Sequence, residues 1–290
     1  MSESAPIWRL STDWFAANAR DLPWRHAGTT AWGVLVSEVM SQQTPVRRVE
    51  PVWREWLERW PTPADLAAEP TGEAIRAWGR LGYPRRALRL HAAAVAVAAD
   101  HDNVVPDTIA ELEALPGIGT YTARAVASFA HRQRHPVVDT NVRRVVARAV
   151  AGKPDAGMAT TGADLRAAEA LLPEDDEAAA VTSAALMELG ALVCTAKAPK
   201  CGECPLATLC AWHAKGEELP EGPSRKPQKY TGTDRHVRGL IMAVLREAQD
   251  PVARVALDTV WHEPERRERA LTGLVADGLV VEAAGKVRLP

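Results

Sequence analysis

The sequence predicts an all-α protein carrying a small winged-helix-like module in its C-terminal part. Three observations point there. Stretches rich in Ala, Leu, Arg and Glu repeat at helical period, strand-like alternation is scarce before residue 278, and residues 233–290 change character.

In chain order, helices are expected over 8–18, 32–40, 52–60, 72–78, 87–99, 108–115, 122–130, 142–150, 163–172 and 178–192. Between them Pro and Gly punctuate the chain, at Pro61 and Pro63, Gly82 and Pro84, Pro116 and Gly117, and Pro154, as short connections between helices require. Residues 221–232, with Gly222, Pro223 and Pro227, read as a linker. Beyond it come helix-like runs over 236–248, 255–261 and 264–276, then two strand-like runs around Ala284 and Gly285. Three helices and a hairpin give the winged-helix order.

The 290 residues, 47 % apolar and 25 % charged, suffice for two modest domains with an appendage. The opening residues lack the basic start and apolar run of a signal peptide, and nowhere do 18 apolar residues run together, so no membrane span and a reducing, cytoplasmic setting are expected. A net charge of -2 does not mark a general polyanion binder. Any basic surface has to be local.

All four cysteines lie close together, Cys194, Cys201, Cys204 and Cys210, with six, two and five residues between them. Thiolates at this spacing, interleaved with Pro199, Gly202 and Pro205, suit an iron-sulfur cluster or a tetrahedral zinc. Zinc ribbons usually carry two C-x2-C pairs, and this segment has one.

Glu38 is the one carboxylate of an apolar helix-like run, WGVLVSEVM, where burial favours its protonated form and makes it a candidate general acid. The plainer alternative is a Glu on a solvated helix face. Asp139, in VVDTNVRR, precedes a helix whose unpaired N–H groups favour an anion, and it is equally well read as an N-cap. Together, one protonated and one ionised carboxyl are the parts needed to break a glycosidic bond. Between them, Gly117 and Gly119 in LPGIGTYT resemble a helix-hairpin-helix turn that offers N–H groups to a phosphate, or else form a bare helical hairpin. Gln42 and Gln43 after Glu38, and Tyr83 among Arg80, Arg85, Arg86 and Arg89, could line a nucleic-acid groove or be solvated turns. The ten tryptophans, Trp53, Trp56 and Trp60 among them, read mostly as core.

Taken in order, SEVMSQQT, LGYPRRALRLH, LPGIGTYTARAV, VVDTNVRRVVAR, MELGALVC and the cysteine run resemble the helix-hairpin-helix DNA glycosylase superfamily, and within it the adenine DNA glycosylases of the MutY type, over about residues 8–220. The resemblance implies an iron-sulfur domain from 1–26 and 136–220, a six-helix barrel with the hairpin from 27–135, the linker 221–232 and the module 233–290. It selects a 4Fe-4S cluster over zinc. It also implies that Glu38 protonates a flipped adenine, that Asp139, supported by Asn141, stabilises or captures the sugar cation, and that Tyr121 sits by the reacting sugar. Because Tyr121 stands where endonuclease III relatives carry a lysine, the resemblance implies a monofunctional enzyme. Gln43 and Tyr83 resemble residues that enter the helix beside the orphaned base, and Arg25 in LPWR an adenine-pocket residue.

Two departures from the pattern stand out. Ala184, or a residue close to it, is apolar where many such enzymes carry Gln or Glu, and residues 233–290 are too short and too helical for the usual Nudix-like domain that checks for 8-oxoguanine. The expected partner is double-stranded DNA with an adenine mispaired with 8-oxoguanine or guanine, met by a monomer at the nucleoid. A thymine or uracil mismatch glycosylase and a non-catalytic iron-sulfur DNA-binding protein are the alternatives, the second disfavoured by Glu38 and Asp139. The module, with nine basic against nine acidic residues, is expected to tune substrate choice through a local face such as Arg266, Arg267 and Arg269.

Overall fold

The computed structural model describes residues 5–157, 159–216, 219 and 230–290. Its helices are α1 Ala5–Asn18, α2 Ala31–Ser41, α3 Val46–Arg59, α4 Pro63–Ala67, α5 Thr71–Trp78, α6 Arg85–Asp100, α7 Ile109–Ala114, α8 Thr120–Phe129, α9 Thr140–Ala149, α10 Gly162–Glu169, α11 Asp176–Leu192, α12 Asp234–Glu247 and α13 Pro264–Ala276. Three short strands, β1 Val252–Ala253, β2 Val281–Ala283 and β3 Lys286–Arg288, complete the set among the described residues. No helix among them is long and apolar enough to cross a membrane.

Contacts divide the chain into two compact units, one of Met1–Glu38, Asp107–Glu113 and Gly119–Pro223, the other of Val39–Pro106, Ala114–Ile118 and Ser224–Pro290. In the first, α9 packs on α10 and α11, and α11 on α1 and α8. Its core gathers Ile7, Val142, Val145, Leu186, Leu189 and Leu206, with Cys194, Cys204 and Cys210 packed against it. The loop that carries the cysteines is thus anchored on apolar helix faces.

In the second unit, α4 and α5 pack on α6. Three tryptophans form its centre: Trp56 meets Trp60 edge-on at 4.9 Å and Trp78 at 5.6 Å, all fully buried. Helix α3 begins at Val46, ahead of the expected Val52, because the buried stripe of Val49, Trp53 and Trp56 carries the helix through Pro51. The expected bare connection at Pro61–Pro63 holds the short helix α4 instead, opened by a capping box between Thr62 and Asp65 and pinned by buried Leu66.

Residues 230–290 belong to the second unit, where α12 packs on α13. The hairpin β2–β3 turns at Ala284 and Gly285, both left-handed, and the added strand β1 pairs with β3, so the sheet order is β1-β3-β2, antiparallel throughout. The expected middle helix is a 3₁₀ stretch, Arg254–Thr259: the Arg254 N–H is held by the Gly285 carbonyl at 2.9 Å, and the tighter winding turns Leu257 into the core. Of the expected linker, 221–229 lies outside the described residues.

Candidate active site and metal-binding loop

Glu38 lies on α2 among the buried residues Val34, Leu35, Val36 and Met40. Part of its side chain stays accessible, but the carboxyl is surrounded by protein. That burial, reinforced by the charge of Asp139, pushes its pKa up to about 7, against a hydrogen bond donated by the Tyr121 hydroxyl and the nearby charge of Arg25. The same surroundings, burial first and then the two carboxylates, drive the Tyr121 phenol well above its ordinary value. Glu38, Tyr121 and Asp139 therefore form one electrostatic group, and α8 supplies the tyrosine in its first turn.

Asp139 caps α9. Its Oδ1 accepts from the Asn141 and Val142 N–H groups, each at 2.8 Å, and its Oδ2 from the Asn141 amide at 2.8 Å. Burial raises this carboxyl above its ordinary range, and the three donors together with Arg144 work against that rise. The N-cap reading and the charge-bearing reading of Asp139 are thus the same geometry: the bonds that start the helix are those that favour the anion.

Arg25 belongs to a cluster that sequence reasoning missed. Glu188 on α11 is fully buried and accepts from Arg20 Nε at 2.7 Å, Arg20 Nη2 at 2.8 Å, the Arg20 N–H at 3.0 Å and Arg25 Nη2 at 2.9 Å. Burial works to raise its pKa, but the Arg20 bonds and Arg25 prevail and hold it at about 2. Nη1 of Arg25 is buried with no hydrogen-bond partner among the described residues, while its guanidinium lies over the Phe15 ring at 5.3 Å. The signal was present in the sequence, since Glu188 is a lone carboxylate in the apolar run LMELGAL, as Glu38 is in its own. Ala184, on the same helix, is half-buried.

The four cysteines line one small cavity with Val193, Trp212 and Arg148. Arg148 is buried, stacks on Trp212 at 4.5 Å and donates to the Thr195 carbonyl at 2.7 Å and to Cys194 Sγ at 3.4 Å. Burial pushes the Cys204 thiol up to about 11, so this thiol becomes a thiolate through a bound metal. All four cysteines are on the lining of this one cavity, which is where a metal cluster held by four thiolates would sit.

This loop is bonded to Asp139 through two side chains. Arg144 donates from Nε to the Cys194 carbonyl at 2.6 Å, and from Nη2 to the Gly190 carbonyl at 2.6 Å and to Asn141 Oδ1 at 2.8 Å. Gly190 permits the close crossing of α9 and α11, since a Cβ there would meet Asn141 Cβ at 2.7 Å.

Gln42, Gln43, Tyr83 and Gly117 fall in the second unit. Gln43 and Tyr83 both have left-handed backbones, at φ 55° and 47°, a strained state for non-glycine residues. Buried Arg86 ties the two loops together: it donates to the carbonyls of Val39, Met40 and Gln42, to Thr44 Oγ1 at 2.9 Å and to the Gly82 carbonyl at 3.0 Å. Burial lowers its pKa to about 10, still a cation at neutrality. Gly117 makes the hairpin turn at φ 78°, against the stem of Arg89, and Gly119 caps α8 with no side chain over the helix start.

Known proteins resemble this chain in sequence and fold. Residues 36–168 match the HhH-GPD family, described as superfamily base excision DNA repair protein, and residues 194–210 match the iron-sulfur binding domain of endonuclease III. The chain is 55 % identical to the adenine DNA glycosylase of Mycolicibacterium smegmatis over 97 % of its length and 94 % of that protein, and 54 % identical to that of Mycobacterium tuberculosis over 96 % and 91 %. A solved thermostable thymine-DNA glycosylase superposes with a TM-score of 0.67 at 25 % identity, over 73 % of this chain and 97 % of that one.

Proposed function

Since the chain belongs to the HhH-GPD superfamily of base excision repair proteins, and within it to the adenine DNA glycosylases, we propose that it hydrolyses the N-glycosidic bond of adenine mispaired with 8-oxoguanine or guanine in double-stranded DNA. The observation that carries this reading is a carboxyl at about pKa 7, Glu38, grouped with Tyr121 and the helix-capping carboxylate Asp139.

The target base has to leave the stack to be reached, and a mispaired base costs less to extrude. Glu38, protonated near neutrality, gives its proton to a ring nitrogen of adenine. The bond from the sugar carbon to adenine then breaks with its electron pair leaving on the base. Asp139 stabilises or captures the cation left on the sugar, and water completes the hydrolysis. Asn141 holds Asp139 by two hydrogen bonds, donated from its backbone N–H and its side-chain amide. Tyr121 orients Glu38 and, lacking an amine, cannot attack the sugar to form a Schiff base. The turn Gly117–Gly119 and the start of α8 would offer N–H groups to a phosphate, and Gln43 and Tyr83 would enter the helix beside the orphaned base. Cys194, Cys201, Cys204 and Cys210 would hold a 4Fe-4S cluster, which supplies thiolate charge neutralisation and fixes the loop.

The test is cleavage of duplexes holding adenine opposite 8-oxoguanine, adenine opposite guanine and thymine opposite guanine, each with and without alkaline treatment. Adenine release with alkali-dependent breakage supports the reading. Exclusive release of thymine overturns it.

A further inference from the structure

Residues 233–290 are docked on the segment 72–88 of their own unit. The Gly72 N–H donates to the Pro290 carbonyl at 2.7 Å, and a Cβ at Gly72 would collide with that oxygen and crowd Leu289. Arg246 donates to the Ile75 carbonyl, Arg76 to the Arg246 carbonyl, and Arg85 pairs with Asp277 at 3.2 Å. These contacts fix α12 against α5 and the end of α13 against α6. The first turn of α12 then carries Arg235 over the Tyr83 ring at 5.0 Å and towards Tyr230 at 5.9 Å.

Five other arginines of the module pair with carboxylates inside it, and Arg246 is engaged by the Ile75 carbonyl. Arg266 and Arg269, expected to face a phosphate, pair with Asp234, and Arg267 pairs with Asp258, so that expected face is neutralised. Arg238 pairs with Asp277, and Arg254 with Glu268 and Glu282. Arg235 is exposed, and its neighbour Asp234 is already engaged by two other arginines. It lies against two large aromatic rings left open to solvent, Tyr83 at 47 % and Tyr230 at 50 % exposure. A cation between exposed rings is suited to a strand that offers both phosphates and base faces. The Arg86 guanidinium also lies over the Tyr83 ring, at 5.6 Å, so two cations contact the side chain of this residue of strained backbone.

We propose that Arg235 is a specificity-determining DNA contact supplied by the module: it braces the Tyr83 ring and presents its N–H fork to a phosphate of the strand opposite the adenine. This rests on the glycosylase reading above. The module thereby helps to read the base opposite adenine through one side chain on α12, not through the basic residues of α13.

A double-mutant cycle on the full, metal-loaded chain tests this. Wild type, Tyr83→Ala, Arg235→Ala, the double variant and Arg235→Lys are titrated, at several salt concentrations, with duplexes holding a non-hydrolysable 2′-fluoro adenosine opposite 8-oxoguanine or guanine. Arg235→Ala is expected to weaken binding roughly 3- to 10-fold and to lower the salt slope by about one. The double variant should bind within about twofold of Tyr83→Ala alone, and Arg235→Lys should restore the salt slope without restoring the preference for 8-oxoguanine. Losses that multiply across the cycle, or a salt slope unmoved by Arg235→Ala, overturn the proposal. A wild type that shows the coupling but releases no adenine from a natural substrate overturns the proposed function and leaves the Arg235 contact supported.

Discussion

Arg144 and Asn141 share a hydrogen bond of 2.8 Å that makes Asp139 and the backbone of Cys194 ends of one bonded chain. The cysteine loop and the carboxylate are thus joined through two side chains.

Replacing Asn141 by Ala removes the side-chain hydrogen bond to Asp139 Oδ2 and the acceptor for Arg144. Loss of a hydrogen bond to a charged group costs about 1.5–3 kcal/mol, so the rate of base release should fall roughly 10- to 100-fold while bound iron stays unchanged. Single-turnover kinetics beside an iron assay check both halves. A rate within about threefold of wild type would show that the bonded chain carries no function.

Glu38→Gln keeps size and polarity but removes the proton donor, so base release should drop by at least ~10²–10⁴-fold with DNA affinity nearly intact. In the wild type, Glu38 is raised by burial to about 7, and its acidic form is depleted above that pH. The rate should accordingly decline about tenfold per pH unit on the alkaline side.

Tyr121→Phe removes the hydroxyl that lowers the Glu38 pKa. The carboxyl should then titrate higher, and the alkaline limb of the rate profile should move to higher pH than in wild type. Neither protein should yield a borohydride-trapped adduct with DNA at stoichiometric level, and strand breaks should require alkali.

Glu188 has a folded pKa near 2 against an ordinary value of 4.5. The stabilisation from this depressed value is fully present above pH 4.5 and is lost as pH falls towards 2, about 3 kcal/mol in all. Glu188→Gln leaves Arg20 and Arg25 without their acid and should cost roughly 3–5 kcal/mol at neutrality. Urea titrations at pH 7 and pH 3 test this, with the difference between the two proteins expected to shrink at the lower pH.

Purified protein should be yellow-brown and hold about four iron and four sulfide per chain. Stoichiometric zinc without sulfide in protein prepared without air would contradict the assignment. Stripping the metal should loosen residues 194–210, read as faster amide exchange there.

Much of this molecule was legible one segment at a time. Helical period marked most helices, because an apolar stripe on one face is required wherever a helix packs on a core. The spacing of Cys194, Cys201, Cys204 and Cys210 announced a metal loop, and Glu38 and Asp139 stood out as a lone carboxyl in an apolar run and a carboxyl just before a helix, since both placements are read from neighbours in the chain. Pro61 and Pro63 concealed α4, whose capping box stabilises a helix that propensity alone would not support. The tertiary structure decided what depends on residues far apart in the chain. Glu188 reaches Arg20 across 168 positions, Arg86 reaches the Gln42 carbonyl across 44, and Arg144 reaches the Cys194 carbonyl across 50. Which arginines pair with Asp234 was likewise a matter of folding, because it could have met Arg235, Arg266 or Arg269, and the packing of α12 on α13 selects the last two. Sequence fixes which side chains are ionisable and how they are spaced along each helix; the crossings of helices determine which charges are paired, how deeply each is buried and so which proton is held at neutral pH.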